Sequence, residues 1–249
     1  MGINYSGKTD IGKKRETNQD YFVAKTIRDN IDLLVVCDGM GGAKGGMEAS
    51  SLCAETFCAY VENNLDCEKK NEYISVMESA LDEANRKVYE KSKIDPALEG
   101  MGTTIVAAIC DENDYYLLWA GDSRIYAILN DGIMQVSHDH SFVQSLVDAG
   151  NITEEQARTH PNRNIITKAA GTDKQIKADV MKTSNCEFVG LLLCSDGLCS
   201  YVDEQDIKDI CKTENDLDVC TQKLIDKANS NSGADNITVI IHKIQPKRG

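Results

Sequence analysis

Acidic residues stand beside short apolar segments at several points of this 249-residue chain. Five occupy such positions: Asp20, Asp38, Asp122, Asp196 and Asp235. Carboxylates that meet in a folded protein repel one another unless a cation neutralises them. Because all these ligands would be oxygen atoms, the cation that suits them is Mg²⁺ or Mn²⁺. The acids therefore predict a divalent metal site, provided that the fold brings them together.

Among the apolar segments that lead to an acid, the one that ends at Asp38 has the clearest pattern. Leu33–Cys37 is an unbroken apolar run, which is typical of a strand buried on both faces. Three glycines follow Asp38 within four residues, and glycine lets a ligand approach the backbone closely. A single Asp-Gly after a strand is usually only a turn, but Leu191–Cys194 leads into Asp196 in the same way. Two buried strands are therefore expected to present carboxylates at their ends.

The remaining elements follow from periodicity and turn signals. Helices are predicted from helical spacing of apolar residues, and strands from apolar or alternating runs. The predicted helices cover 49–60, 73–88, a short segment from His138–Ser141 to Ala149, a capped start at 153–156, 203–211 and 217–228; the predicted strands cover 5–9 (an edge strand), 21–26, 101–110, 115–120, 124–129 and 237–244, with a hairpin turn at 130–132 and a frayed end at 245–249.

Composition narrows the class of protein. The formal net charge is −13, which disfavours general binding to nucleic acid or to an anionic membrane. Ten cysteines include no CxxC pair, so we expect reduced, mostly buried thiols. No secretion signal and no long apolar segment is recognised, so we expect one cytoplasmic domain.

Three local patterns have competing interpretations. Gly2–Thr9 fits the nucleotide-binding pattern GxxxxGK[ST], but neither a preceding strand nor a following helix is predicted, which disfavours it. His138 and His140 suggest zinc, yet no further ligands have suitable spacing, so structural hydrogen bonds are the favoured interpretation. Arg15 follows Lys13 and Lys14, and its planar guanidinium can make two hydrogen bonds to a phosphate, although a surface salt bridge is the commoner role of an arginine.

The residue pattern as a whole resembles the metal-dependent protein serine/threonine phosphatases of the PPM or PP2C type, particularly their bacterial branch. Eight blocks of that family occur in order: Arg15 with Asn18-Gln19-Asp20, Asp38-Gly39-Met40-Gly41-Gly42, Gly100-Met101-Gly102-Thr103-Thr104, Gly121-Asp122-Ser123-Arg124, Asp139-His140-Ser141, His160-Pro161 with Arg163-Asn164, Ser195-Asp196-Gly197-Leu198, and Asp235-Asn236-Ile237-Thr238. The resemblance implies an α+β fold, a four-layer α-β-β-α sandwich of two antiparallel sheets flanked by helices. It also implies a mobile flap at about 144–164.

The resemblance further implies a role for each site residue. Asp38 would bridge two Mn²⁺ or Mg²⁺ ions, the Gly39 carbonyl would ligate one, and Asp196 with Asp235 would hold the other. Asp122, with Asp196, would hold a weaker third ion; Asp20 would orient metal-bound water, and Arg15 would clamp the substrate phosphate. Two metals can activate a bridging water, which predicts direct hydrolysis of phosphoserine and phosphothreonine without a phosphoenzyme.

Two departures from the family pattern and two alternatives stay open. Met40 replaces a histidine that has been proposed as general acid in eukaryotic relatives, which leaves that role unassigned. Met47 stands where relatives usually carry an acid, with Glu48 next. The expected partners are phosphorylated proteins and an opposing Ser/Thr kinase, with no nucleic acid, no membrane and a monomeric state. The alternatives are a catalytically impaired binding member of the fold and a phosphatase for a sigma-factor regulator.

Overall fold

A computed structural model describes residues 4–28, 31–184 and 188–243. Three sequence predictions lie partly or wholly outside these ranges. They concern the first residues of the Gly2–Thr9 match, the last residue of the predicted strand 237–244, and the frayed end at 245–249.

Eleven strands in the described ranges form two antiparallel sheets. The first sheet has the order β1-β11-β10-β7-β8, and the second has the order β2-β3-β5-β6-β9, with β4 paired to the end of β3. The strands are β1 (Tyr5–Asp10), β2 (Asp20–Arg28), β3 (Ile31–Met40), β4 (Gly102–Thr103), β5 (Ile105–Cys110), β6 (Asp114–Ala120), β7 (Arg124–Ile128), β8 (Ile133–Gln135), β9 (Asp179–Ser184), β10 (Gly190–Cys194) and β11 (Ile237–Lys243).

Helices cover the outer face of each sheet. In the described residues they are α1 (Gly42–Asn64), α2 (Tyr73–Ile94), α3 (Phe142–Asp148), α4 (Glu154–Arg158), α5 (Asp196–Cys199), α6 (Glu204–Thr213) and α7 (Leu217–Asn231). Apolar residues of α1 and α2 pack on the second sheet, and those of α6 and α7 pack on the first. The predicted α-β-β-α sandwich is confirmed.

The central strands explain why their apolar runs do not alternate. In β3, Leu34 and Val36 belong to the core between the sheets, whereas Leu33, Val35 and Cys37 face the α1–α2 layer. β10 behaves in the same way, since Leu191 and Leu193 point between the sheets while Leu192 and Cys194 point to the helices. Burial on both faces requires apolar residues at every position, as predicted.

Several local predictions are confirmed and others need correction. Thr153 and Gln156 form the predicted capping box of α4, and β7 and β8 form the hairpin around 130–132. The predicted strand 101–110 is interrupted at Thr104, because the Asp38 N–H donates to the Thr104 side chain at 3.0 Å instead of to its backbone. β9 was not predicted, because it is an edge strand with mostly exposed or half-exposed residues.

Two further points concern binding to other molecules. Lys8 and Thr9 lie inside β1, so the GK[ST] end of the Gly2–Thr9 match does not open a helix as a phosphate-binding loop must. Among the described residues, no helix combines the length and the apolar character needed to cross a bilayer.

Candidate active site

A cavity of about 580 Å³ opens where strand ends of both sheets come together. Six of the seven predicted site residues line it: Arg15, Asp38, Gly39, Asp122, Asp196 and Asp235. Asp20, the seventh, lies opposite Asp38 in the β2–β3 register and is buried behind the wall of the cavity. The remaining lining includes the main chain of Gly41 and Gly42 and the apolar side chains of Met40 and Ile166.

The Asp20 carboxylate joins the two sheets behind the cavity. Its Oδ2 accepts a hydrogen bond from the Ser195 hydroxyl at 2.7 Å, and that hydroxyl accepts one from the Thr238 N–H at 3.0 Å. Ser195 directly precedes Asp196, so this chain of bonds fixes the end of β10 relative to β2. No individual role was predicted for Ser195 from its sequence position.

Hydrogen bonds to its backbone hold Asp38 in place, and its carboxyl group shares a side-chain hydrogen bond with Asp196. The Asp38 carbonyl accepts from the Thr103 hydroxyl and from the Thr104 N–H, both at 2.9 Å. The Thr104 hydroxyl also lies 2.7 Å from the Ser123 hydroxyl, which follows Asp122. Thr104 therefore connects the segments that carry two of the acids.

The glycine after Asp38 is required by close packing. A Cβ atom at Gly39 would lie 1.9 Å from the carbonyl oxygen of Gly46, in the first turns of α1. No side chain fits at that distance, so α1 can begin beside the cavity only because position 39 is a glycine.

Asn236 also lines the cavity, and no individual role was predicted for it from the sequence. Its amide nitrogen donates to the carbonyls of Ile11 and Thr17 at 2.9 and 3.0 Å, and its amide oxygen accepts from the Gln19 N–H at 2.8 Å. These bonds fasten both ends of the loop that carries Arg15. The only available signal was the Asp-Asn pair before a strand, because the partners are more than 200 residues away in the sequence.

Arg15 is paired with one of the predicted metal ligands. Its Nη2 donates to Oδ2 of Asp235 at 2.8 Å, and about half of the arginine side chain is exposed. The same contact raises the pKa of Arg15. Since Arg15 lines the cavity, its guanidinium adjoins the carboxylates that it partly neutralises.

The remaining carboxylates are electrostatically unfavourable as they stand. Burial, followed by the charges of neighbouring acids, raises the pKa of Asp38 and of Asp122 well above the usual value. Burial likewise raises the pKa of Asp196 to about 6 and that of Asp20 to about 7. Oδ1 of Asp20 and Oδ1 of Asp122 are buried without a hydrogen-bond partner. Oxygen-only donors with unfavourable negative charge and free lone pairs fit a hard divalent cation.

The acids do not by themselves form a complete metal-binding cluster. In the ranges that the structure describes, no group of three or more His, Cys, Asp or Glu side chains is arranged to hold an ion. Asp38 and Asp196 are joined by a side-chain hydrogen bond, and Asp235 is paired with Arg15. Asp235 would therefore have to exchange its partner to ligate an ion.

His138 and His140 make hydrogen bonds, as the favoured interpretation predicted. Nε2 of His138 lies 2.8 Å from Oδ2 of Asp148. Nδ1 of His140 accepts from the Gly121 N–H at 3.1 Å, and its Nε2 lies 2.9 Å from Nζ of Lys168. Burial lowers the pKa of His140. His140 therefore supports the turn that carries Asp122.

Comparison with known proteins identifies chains of the same kind. The sequence profile of the family "Protein phosphatase 2C" matches residues 9–225. Protein phosphatase PhpP of Streptococcus pneumoniae is 36% identical over 235 residues, with 94% of both chains covered. Serine/threonine phosphatase stp of Listeria welshimeri is 34% identical over 236 residues, covering 94% of this chain and 93% of that protein. The crystal structure of Stp1 from Staphylococcus aureus has a TM-score of 0.91 at 35% identity, covering 99% of this chain and 96% of the other.

Proposed function

The chain belongs to the protein phosphatase 2C family of serine/threonine phosphatases, and we propose that it removes phosphate from phosphoserine and phosphothreonine of proteins with the help of Mn²⁺ or Mg²⁺. One observation supports this proposal most strongly. Carboxylates from both sheets line one cavity, and two buried carboxylate oxygens lack any protein partner: Oδ1 of Asp122, in the lining, and Oδ1 of Asp20, behind the wall.

The residues that would hold the ions are those whose carboxylates or carbonyls line the cavity. Asp38 and the Gly39 carbonyl lie at the end of β3, and Asp196 and Asp235 lie at the facing ends of the first sheet. Asp122 and Asp196 form the pair for a third ion. When two such ions are bound, they lower the pKa of a water molecule and neutralise charge on the phosphoryl oxygens.

Residues without direct metal contact complete the site. Oδ1 of Asp20 has no protein partner, and it would accept a hydrogen bond from water in the metal-loaded site. Arg15 turns its guanidinium from Asp235 to the substrate phosphate, where its planar fork makes two charge-assisted hydrogen bonds.

The proton for the leaving oxygen has no obvious side-chain donor. Met40 lines the cavity and cannot supply a proton, and no histidine is among the described residues that line it. We therefore assign this proton to water. The substrates would be proteins phosphorylated by a Ser/Thr kinase, and the segment 144–164 would contact them as a flap.

Hydrolysis of a phosphothreonine peptide tests the proposal. We expect activity with Mn²⁺, none with EDTA, and none for Asp38→Asn or Asp196→Asn in Mn²⁺. Asp114→Asn is the matched control, because Asp114 pairs with Lys182 on the second sheet and does not line the cavity. If the folded, Mn²⁺-binding protein hydrolyses none of several phosphopeptides, the chain is a binding member of its family.

A further inference from the structure

Two cysteines bracket Asp196. Cys194 is the last residue of β10 and is fully buried, and Cys199 is the last residue of α5 and is partly exposed. Cys194 points to the helix side of the first sheet, and Cys199 packs against the same apolar cluster. The two thiols are in hydrogen-bond contact. A single turn that contains a predicted metal ligand thus joins two touching sulfur atoms.

Cys199 differs from the other cysteines in its surroundings. Its Sγ lies 3.9 Å from the Ser195 carbonyl oxygen and 3.8 Å from that of Asp196. A partly exposed thiol is one that oxidants can reach and modify.

Other thiol contacts in the described residues lack one of these features. Cys37 touches Cys53, and Cys211 touches Cys220, but all four residues are buried. Cys67, the other partly exposed cysteine of the described residues, packs against the α1–α2 layer and not at the Asp196 turn. The pair at 194 and 199 combines partial exposure with a second thiol in hydrogen-bond contact.

We propose that Cys199 is an oxidation site for hydrogen peroxide and that Cys194 is its resolving thiol, so that a disulfide reversibly disables the Asp196 turn. The Cys199 thiol takes one oxygen from the peroxide, which gives a sulfenic acid and one water. The Cys194 thiol then attacks this sulfur, forms the S–S bond and releases a second water. Two thiols lose two electrons, the peroxide gains them, and both thiol protons leave in the waters.

The packing around Asp196 explains why this bond would inhibit the enzyme, a consequence that rests on the proposed function. A disulfide brings the sulfur atoms to about 2.05 Å, so α5 must approach the end of β10. The turn between them has no spare room, because a Cβ atom at Gly197 would lie 1.8 Å from the Asn236 carbonyl oxygen. Asp196 must therefore shift relative to Asp38 and Asp235. A displacement of about 1 Å at a reacting centre can reduce the rate about 100-fold.

The experiment treats metal-free protein with hydrogen peroxide, removes the peroxide with catalase, and then measures both activity with Mn²⁺ and the disulfide itself. Cleavage before Asp196 separates the two cysteines, so the disulfide appears as two linked peptides. Fragmentation of these peptides assigns the bond to Cys194 rather than to Cys186, which lies outside the described residues.

We expect the linked peptides in the intact protein and a loss of at least about tenfold in kcat/KM, reversed by dithiothreitol. Cys199→Ser and Cys194→Ala should resist the peroxide, and the control Cys67→Ser should respond like the parent. Equal inactivation of Cys199→Ser, or treated parent protein without the linked peptides, would overturn the proposal. The linked peptides can be detected whether or not the protein is active. A protein that is inactive before treatment would contradict the proposed function, but its peptides would still show whether the disulfide forms.

Discussion

Arg15 and Asp235 are ion-paired, with 2.8 Å between Nη2 and Oδ2. The residue predicted to bind the substrate phosphate is thus held by a residue predicted to bind metal. The two have opposite charges and share one edge of the cavity, so an ion at Asp235 would release Arg15 toward the substrate. We therefore predict that metal binding and phosphate binding are coupled by this exchange of partners.

Replacement of Arg15 by alanine should therefore change the two affinities in opposite directions. Loss of two hydrogen bonds to a charged phosphate, worth about 1.5–3 kcal/mol each, should lower kcat/KM at least about 100-fold. Loss of the positive charge beside Asp235 should lower the Mn²⁺ concentration for half-maximal binding about two- to fivefold. Calorimetric titration with Mn²⁺ and phosphopeptide kinetics measure these effects.

Lys14→Ala is the control, since Lys14 lines the cavity without an ion pair among the described residues. Weaker Mn²⁺ binding by Arg15→Ala would contradict the coupling.

Asp38→Asn should separate activity from stability. The substitution removes a carboxylate whose pKa is raised by burial and by four neighbouring acids. Catalysis should fall by roughly 10³-fold, because bound metal contributes several kcal/mol to the rate. In EDTA, however, the variant should be more stable than the parent by about 1–2 kcal/mol, since it no longer buries that charge. Urea unfolding in EDTA measures this difference, and a less stable variant would mean that the Asp38 charge is compensated in the metal-free protein.

The apolar strands, the amphipathic helices and the capping box were predictable, because each depends on residues close together in sequence. The acids were predictable as a set for the same reason, since each stands at the end of a recognisable segment. The Arg15–Asp235 pair and the three hydrogen bonds of Asn236 were not, because they join residues more than 200 positions apart. β9 has no periodic apolar face, and only its pairing with β6 makes it a strand.

The metal-free protein should become less stable as the pH rises from about 4 to about 7. The pKa of Asp196 is about 6 and that of Asp20 about 7 in the folded protein, both above the ordinary value of 3.8. Between the ordinary value and these raised values the folded state keeps protons that the unfolded state has released, so stability falls with rising pH and levels off above about pH 7. We expect a decrease of several kcal/mol in the free energy of unfolding, because each pKa unit corresponds to about 1.4 kcal/mol.

Mn²⁺ supplies the matched comparison for this pH dependence. Saturating metal should remove or reverse the trend, because the ions bind the ionised carboxylates and stabilise the folded state. Unfolding with urea at several pH values, in EDTA and in Mn²⁺, tests both statements. Equal slopes under the two conditions would show that these carboxylates do not bind the metal.

Asn236→Ala should loosen the loop that carries Arg15. The substitution removes hydrogen bonds to Ile11, Thr17 and Gln19 and leaves three backbone groups without partners. We expect a loss of about 2–4 kcal/mol in stability and a higher KM for phosphopeptide. Asn229→Ala is the control, because the Asn229 amide makes one bond, to Asp10, and its loss should cost about 1 kcal/mol with little change in KM. Equal KM effects for both variants would show that the loop does not depend on Asn236.

The segment 144–164 should determine which proteins are dephosphorylated more than how fast phosphate is released. Its described contacts with the rest of the chain include an exposed ion pair, Arg158 with Asp203 at 3.6 Å, and ring contact between Phe142 and His160. Its inner end places Asn164 and Ile166 on the wall of the cavity, where a bound protein would also lie.

Replacement of 151–159 by a Gly-Ser linker should lower kcat/KM for a phosphoprotein about tenfold or more, a loss of about 1.4 kcal/mol or more in binding. Hydrolysis of a small aryl phosphate, which is too small to reach the flap, should change less than about threefold. The β7–β8 turn at 130–132 provides the control replacement, because it joins two strands at the edge of the first sheet and does not line the cavity. Equal losses on the phosphoprotein and on the aryl phosphate would place the segment in support of the catalytic residues instead of in substrate docking.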